Sequence, residues 1–212
     1  MVQHLGLFLL FLLTFNVSAQ DERYYRQILN GELPLQGQPV KEAQEHQFNV
    51  KGAAYNVDLN GDGFEEIIQP QKRDGVDWLE IQDSSKRKIF ETKLLAQGVE
   101  SVIYKIKLAH LSPVAKVLII HLDEGKTSGH RFESTARIFL LTFENNDFGT
   151  FKLVQGPHHF HEKEGQRDQY WRKTYSVDVR DVDQNGVRDV VVEFNHIQRI
   201  MLYLGKGEWS RL

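Results

Sequence analysis

Residues Ala54–Pro70 read AYNVDLNGDGFEEIIQP: a short strand-forming run, nine residues rich in Asp, Asn and Gly, and then an apolar run. Within the nine, Asp58, Asn60 and Asp62 stand at positions 1, 3 and 5, Gly63 at 6 and Glu66 at 9. Calcium is a hard cation that takes six to eight oxygens at about 2.3–2.6 Å, and alternate residues of a tight turn point inward together. Asp58, Asn60 and Asp62 are therefore expected to offer side-chain oxygens, Phe64 its carbonyl and Glu66 the closing carboxylate. Gly63 permits the sharp turn that brings the later ligands back. An EF-hand does not fit, because Gln69 stands at position 12 and strand-type sequence lies on both sides.

The same layout returns in Thr174–Phe194, TYSVDVRDVDQNGVRDVVVEF. Here Asp181, Asp183, Asn185 and Asp189 hold positions 1, 3, 5 and 9, Gly186 holds 6, and Val187 offers its carbonyl. A single copy is compatible with an Asx-rich hairpin turn, since Asn, Asp and Gly favour turns. Two copies, each before an apolar strand, point to calcium, one or two ions in all. Three carboxylates per loop repel one another, so a bound ion is expected to stabilise the fold.

Working outward, each loop opens a unit. DWLEIQD and RKIFETKL follow the first, and RIMLYLG and EWSRL follow the second. Between them IYKIKLAHLSPVAKVLIIHL, ARIFLLTFEN and GTFKLV keep the same apolar rhythm. A Tyr precedes each loop (Tyr55, Tyr104, Tyr175), and an apolar strand with no clean alternation follows it, as expected of a strand buried on both faces. In the middle unit Lys116 stands where Glu66 and Asp189 stand, so that unit keeps the strands without the ligands. The expectation is all-β: about three four-stranded, propeller-like sheets (an open or vestigial β-propeller), in units of about 54–95, 101–154 and 174–212. Residues 48–212 form this β-repeat domain. Before it, 20–47 is read as a helix (Asp21 to about Leu33) and a Pro-containing linker.

The first nineteen residues have the layout of a cleaved secretory signal, with an apolar run from Leu5 to Phe15 and small residues at Ser18 and Ala19. The run is short for a membrane span, so no membrane insertion is expected after cleavage, and the mature chain of about 190 residues is placed in the periplasm or outside the cell. The chain has no cysteine, so an exported domain of this kind must be held by its core or by metal. A net charge of −3 with interspersed signs excludes a nucleic-acid surface.

The two loops and the strands after them resemble the calcium loops of FG-GAP/VCBS-type repeats, found in integrin α-subunit propellers and in many exported bacterial proteins. The resemblance implies loop-bound calcium between the first two strands of a blade. The chain departs from that pattern by lacking the Phe-Gly and Gly-Ala-Pro elements and by having few units. Small exported proteins with a vestigial propeller fold, including periplasmic lysozyme inhibitors, are similar in size and in carrying such loops.

His158-His159-Phe160-His161 offers a second metal chemistry: His159 and His161 share a face if the segment is extended, which suits zinc or copper. Gly156-Pro157 before it and EKEGQRDQ after it favour a solvated excursion instead. Glu124-Gly125-Lys126-Thr127 lacks the first glycine of a phosphate loop. Trp78 and Trp209 are expected in blade packing. The function expected is non-catalytic: a calcium-stabilised binding module with a protein or glycan partner, contacted through Glu124–Ser134 and Gln155–Lys173. The alternatives are an inhibitor of a cell-wall hydrolase such as lysozyme, and a metal-dependent hydrolase using His158–His161.

Overall fold

The computed structural model describes residues 47–49, 54–98, 100–126, 133–164 and 170–212. The expected signal segment 1–19, the helix and most of the linker lie outside the described residues. All regular elements among the described residues are strands, arranged in three antiparallel sheets. The first sheet runs β2 (Tyr55–Val57), β3 (Glu66–Arg73), β4 (Val76–Gln82) and β5 (Lys88–Leu94) in chain order. The last runs β11 (Ser176–Arg180), β12 (Asp189–Phe194), β13 (Ile197–Gly205) and β14 (Glu208–Arg211). Both match the outer units expected from the sequence.

The middle sheet is larger than the four strands expected. It has six, in the order β1 (Gln47–Asn49), β6 (Val102–His110), β7 (Ala115–Lys126), β8 (Glu133–Glu144), β9 (Asp147–Glu164) and β10 (Tyr170–Thr174). The expectation that Gln155–Lys173 is an inserted contact loop is therefore corrected. His158–His161 lie in β9, and Glu124 lies in β7. The Gly-Pro pair that signals a turn marks a strand irregularity instead, for β9 shifts register against β8 between Phe139↔Gln155 and Arg137↔His158. A Cβ on Gly156 would come within 2.6 Å of Ile138 Cγ1, so Gly is required by close approach. Pro157, which has no N–H, falls in the same irregular stretch.

The middle sheet packs on both faces, with one core on each side. On one face Ile106, Leu118, Ile120, Leu122, Leu141 and Phe143 meet Val57, Leu59, Ile68, Leu79, Ile81 and Leu94 of the first sheet. On the other, Leu111, Val117, Ile119, Ile138 and Leu140 meet Val179, Val190, Val192, Met201 and Tyr203 of the last sheet. Even-numbered residues of β7 from Leu118 to Leu122 thus face one neighbour, and Val117 and Ile119 the other. That accounts for the missing alternation in VLIIHL: burial on two faces requires apolar residues at every position. In β3, by contrast, Ile68 is buried and Ile67 only half-buried, as on an outer sheet.

Candidate functional site

Strand register fixes how the loops correspond. Val57 pairs with Glu66, Arg180 with Asp189, and His110 with Lys116. Glu66, Asp189 and Lys116 are thus register-equivalent, as the sequence alignment has it. The connections differ in length: residues 58–65 and 181–188 are eight each, whereas 111–115 are five. Counting back eight residues from Lys116 would put the loop start at Leu108, which instead is in β6 opposite Leu118. A Tyr does precede each loop, but at unequal distance: Tyr55 lies two residues before its loop-flanking position, Tyr104 six and Tyr175 five. The shared element is the loop and its closing residue.

The two eight-residue loops have the same backbone. Positive φ occurs at position 4 (Gly61, 80°; Gln184, 60°) and at position 6 (Gly63, 87°; Gly186, 85°). The position-1 carboxylate collects backbone amides in each. Asp58 accepts from Gly61 N at 2.6 Å and Gly63 N at 2.9 Å, and Asp181 accepts from Asn185 N at 3.2 Å and Gly186 N at 2.9 Å. Positions 3 and 5 are bridged side chain to side chain, Asn60 Nδ2 to Asp62 at 2.8 Å and Asn185 Nδ2 to Asp183 at 3.0 Å. The amides of Phe64 and Val187 donate to the position-5 side chains. Such a lattice turns the amide protons inward to the carboxylates and holds the acidic groups on short arms.

The closing carboxylates are buried. Glu66 is 2% exposed and accepts from Leu59 N at 2.7 Å. Asp189 is fully buried and accepts from Val182 N at 3.2 Å and Tyr203 N at 2.9 Å. Burial pushes the Glu66 carboxyl up to about 7; the Leu59 amide opposes this, while Asp62 and Asp58 add to it. Burial likewise raises Asp189, with Asp183 and Asp181 contributing. Both loops thus hold a desolvated carboxylate that repels its neighbours, a condition a divalent cation relieves.

The loops differ in how closely they gather their acids. Asp181, Asp183 and Asp189 offer ligand oxygens all within 4.8 Å of one another, the one such group of three among the described residues. Asp58, Asp62 and Glu66 are not brought that close, although Glu66 accepts from the Leu59 amide as Asp189 does from Val182. Phe64 is 64% exposed at the loop tip, and Val187 packs against the second core.

Sequence reasoning missed the basic residues that tie the loops to the middle sheet. Lys116 Nζ donates to Leu59 O at 2.6 Å, and Arg188 N donates to Leu111 O at 2.8 Å. The Arg188 guanidinium also reaches Val179 O and His110 O. A Lys aligned with two carboxylates was the available signal.

The segment 158–161 is not the solvated excursion favoured from the sequence but part of β9, and His159 and His161 have different partners. His161 Nε2 contacts Glu133 at 2.7 Å, whereas His159 is buried against His121 of β7. His158 joins Arg137 and Thr135 on the buried Glu124 at 2.7, 2.7 and 2.9 Å. Burial opposes that charge, but the bonds from His158 and Thr135 and the Arg137 guanidinium outweigh it and hold Glu124 below the usual carboxylate range. Trp78 lies between Arg73 and Lys93, each 5.0 Å from its ring, and Trp209 Nε1 donates to Thr142 at 3.1 Å. A cavity of about 410 Å³ beside β9 is lined by His158, Phe160, His161, Lys173, Tyr175 and Arg199. No family model matches the chain, and no curated protein or solved structure matches it.

Proposed function

We propose that this chain is an exported, calcium-stabilised β-repeat protein of the FG-GAP/VCBS kind, acting as a non-catalytic binding module. Its three stacked sheets are the blades of an open or vestigial propeller. The observation that carries the reading is the congruence of 58–66 and 181–189: the same register, the same positive-φ positions, and the same bonds from the position-6 amide to the position-1 carboxylate and from the position-2 amide to the position-9 carboxylate. The donors are all oxygens, the set a hard cation takes. In the second loop Asp181, Asp183 and Asp189 would hold calcium with Asn185 and the Val187 carbonyl, and in the first Asp58, Asn60, Asp62, Glu66 and the Phe64 carbonyl would do so. The ion neutralises a buried carboxylate at the start of an inner strand, so its work is to hold β2 to β3 and β11 to β12.

The partner, a protein or a glycan, engages away from these loops, at the cavity beside β9. Phe160 and Tyr175 give it aromatic surface and Lys173 and Arg199 positive charge. Calcium titration of the chain by calorimetry tests the reading. Binding with Kd on the order of 10⁻⁴–10⁻³ M, weakened by Asp183→Ala, is expected; absence of binding at millimolar calcium contradicts it. A pull-down from the native envelope with wild type and Arg199→Glu tests the partner site, which is wrong if the same proteins or glycans come down with both.

A further inference from the structure

On β7, His121 follows Val117 and Ile119 on the face toward the last sheet, where an apolar residue would continue the core. Its Nδ1 lies 3.1 Å from Nε2 of His159 on β9, and the Tyr104 hydroxyl of β6 contacts that same Nε2. In a flat sheet β6 and β9, with two strands between them, stand roughly 14 Å apart. The sheet must curl for these side chains to meet. The imidazoles cross at 84° with centroids 4.7 Å apart, and each is 3% exposed.

The protons in this cluster do not balance. His121 Nε2 and His159 Nδ1 are buried with no hydrogen-bond partner. Burial holds both rings neutral, with Lys105 adding to the effect on each, so each ring carries a single N–H. If His159 Nε2 accepts from Tyr104, its N–H is on Nδ1 and unpartnered. If His159 Nε2 donates to His121 Nδ1, the His121 N–H is on Nε2 and unpartnered. In either case one atom, His159 Nε2, must serve both neighbours.

We propose that Tyr104 Oη, His121 Nδ1 and His159 Nε2 form a binding site for a borderline divalent ion, zinc or copper(II). Two imidazole nitrogens and a phenolate oxygen are the donors such ions take. Bonds of about 2.0–2.1 Å in a tetrahedral site set ligand atoms roughly 3.3 Å apart. The two nitrogens stand 3.1 Å apart, whereas the Tyr104 oxygen lies closer than that to His159 Nε2 and must move outward on binding. Neutral imidazole is the ligating form, and three strands of one sheet fix the geometry. Burial pushes the Tyr104 hydroxyl up to about 12, with Asp123 contributing, so the ion's own charge must draw the proton off. On binding, that proton leaves to solvent and the phenolate takes its place on the ion. Both ring protons are then fixed on His121 Nε2 and His159 Nδ1. Without acceptors there, affinity falls about 10–100-fold below that of a site with outer-shell partners. The site is distinct from the oxygen-only loops and from the His159–His161 pair weighed in the sequence.

The test is a titration of the full chain, stripped of metal and then held in excess calcium so that the oxygen loops are occupied, with Zn²⁺ and separately with Cu²⁺. One equivalent of either ion is expected, with a phenolate-to-copper charge-transfer absorption. Tyr104→Phe should abolish that absorption and weaken binding at least about tenfold, and His159→Gln should remove stoichiometric uptake. If His159→Gln fails to fold, Tyr104→Phe, which removes only the hydroxyl, decides alone. Absence of stoichiometric uptake by wild type, or uptake without the absorption and unchanged by Tyr104→Phe, overturns the proposal.

Discussion

The Lys116 ammonium lies 2.6 Å from the carbonyl oxygen of Leu59, and the amide of Leu59 donates at 2.7 Å to the Glu66 carboxylate. A basic residue at the closing position of the ligand-free turn thus ties the middle sheet to the first loop. Both Lys116 and Leu59 are buried. Lys116→Met keeps the stem and removes the charge-assisted bond, and should destabilise the protein by about 1.5–3 kcal/mol in urea unfolding. An unchanged unfolding midpoint would show that the tether has no energetic role.

Gly156 should not tolerate a side chain. A Cβ there meets Ile138 Cγ1 at 2.6 Å and the Ile138 carbonyl at 3.1 Å, inside a two-sided core. Gly156→Ala is expected to cost about 1–3 kcal/mol, read in the same unfolding assay. Gly63→Ala, where a Cβ meets open space but φ is 87°, should cost about 1–2 kcal/mol from the backbone alone.

Acid should destabilise the calcium-saturated protein. Burial lowers His110 to about 4, with Lys116 and Arg188 contributing, and burial lowers His159 to about 4 and His121 further still. These folded-state values lie below the unfolded value of about 6.5. The stability from neutral imidazoles is therefore complete above about pH 6.5 and lost as pH falls toward 4. Each such group contributes a slope of up to about 1.4 kcal/mol per pH unit. His110→Gln should flatten the fall by one proton's worth, measured by melting between pH 7 and 4.5. Excess calcium matters here, since Glu66 is raised and in ion-free protein gives the opposite slope.

The outer sheets were legible because their loops announce them: Asp, Asn and Gly at fixed spacing, then an apolar strand. The middle sheet was only half legible. Gly156-Pro157 carries a turn signature, yet it lies where β9 crosses close to Ile138, and local sequence does not tell a bulge from a turn. The run of charged residues after it hid β10, because an edge strand needs no apolar alternation. The alternative His159–His161 pair, set below a solvated excursion, rested on period two within one strand. The contact that forms, His159 with His121, joins β9 to β7 across β8 and depends on sheet curl, which a single sequence does not show. In the loops, spacing marked positions 1, 3, 5 and 9, but not that the second loop draws its carboxylates closer than the first.

The most direct test of a calcium-stapled fold is the melting temperature of the full chain in excess EDTA and in about 10 mM calcium. With Kd of about 10⁻⁴–10⁻³ M, each occupied loop adds about 1.4–2.7 kcal/mol, a rise of several degrees. Asp183→Ala should lose the larger share of that rise, because Asp183 belongs to the gathered group of three, and Asp62→Ala the smaller. A melting temperature identical in EDTA and calcium, or a rise that neither substitution reduces, would contradict the account.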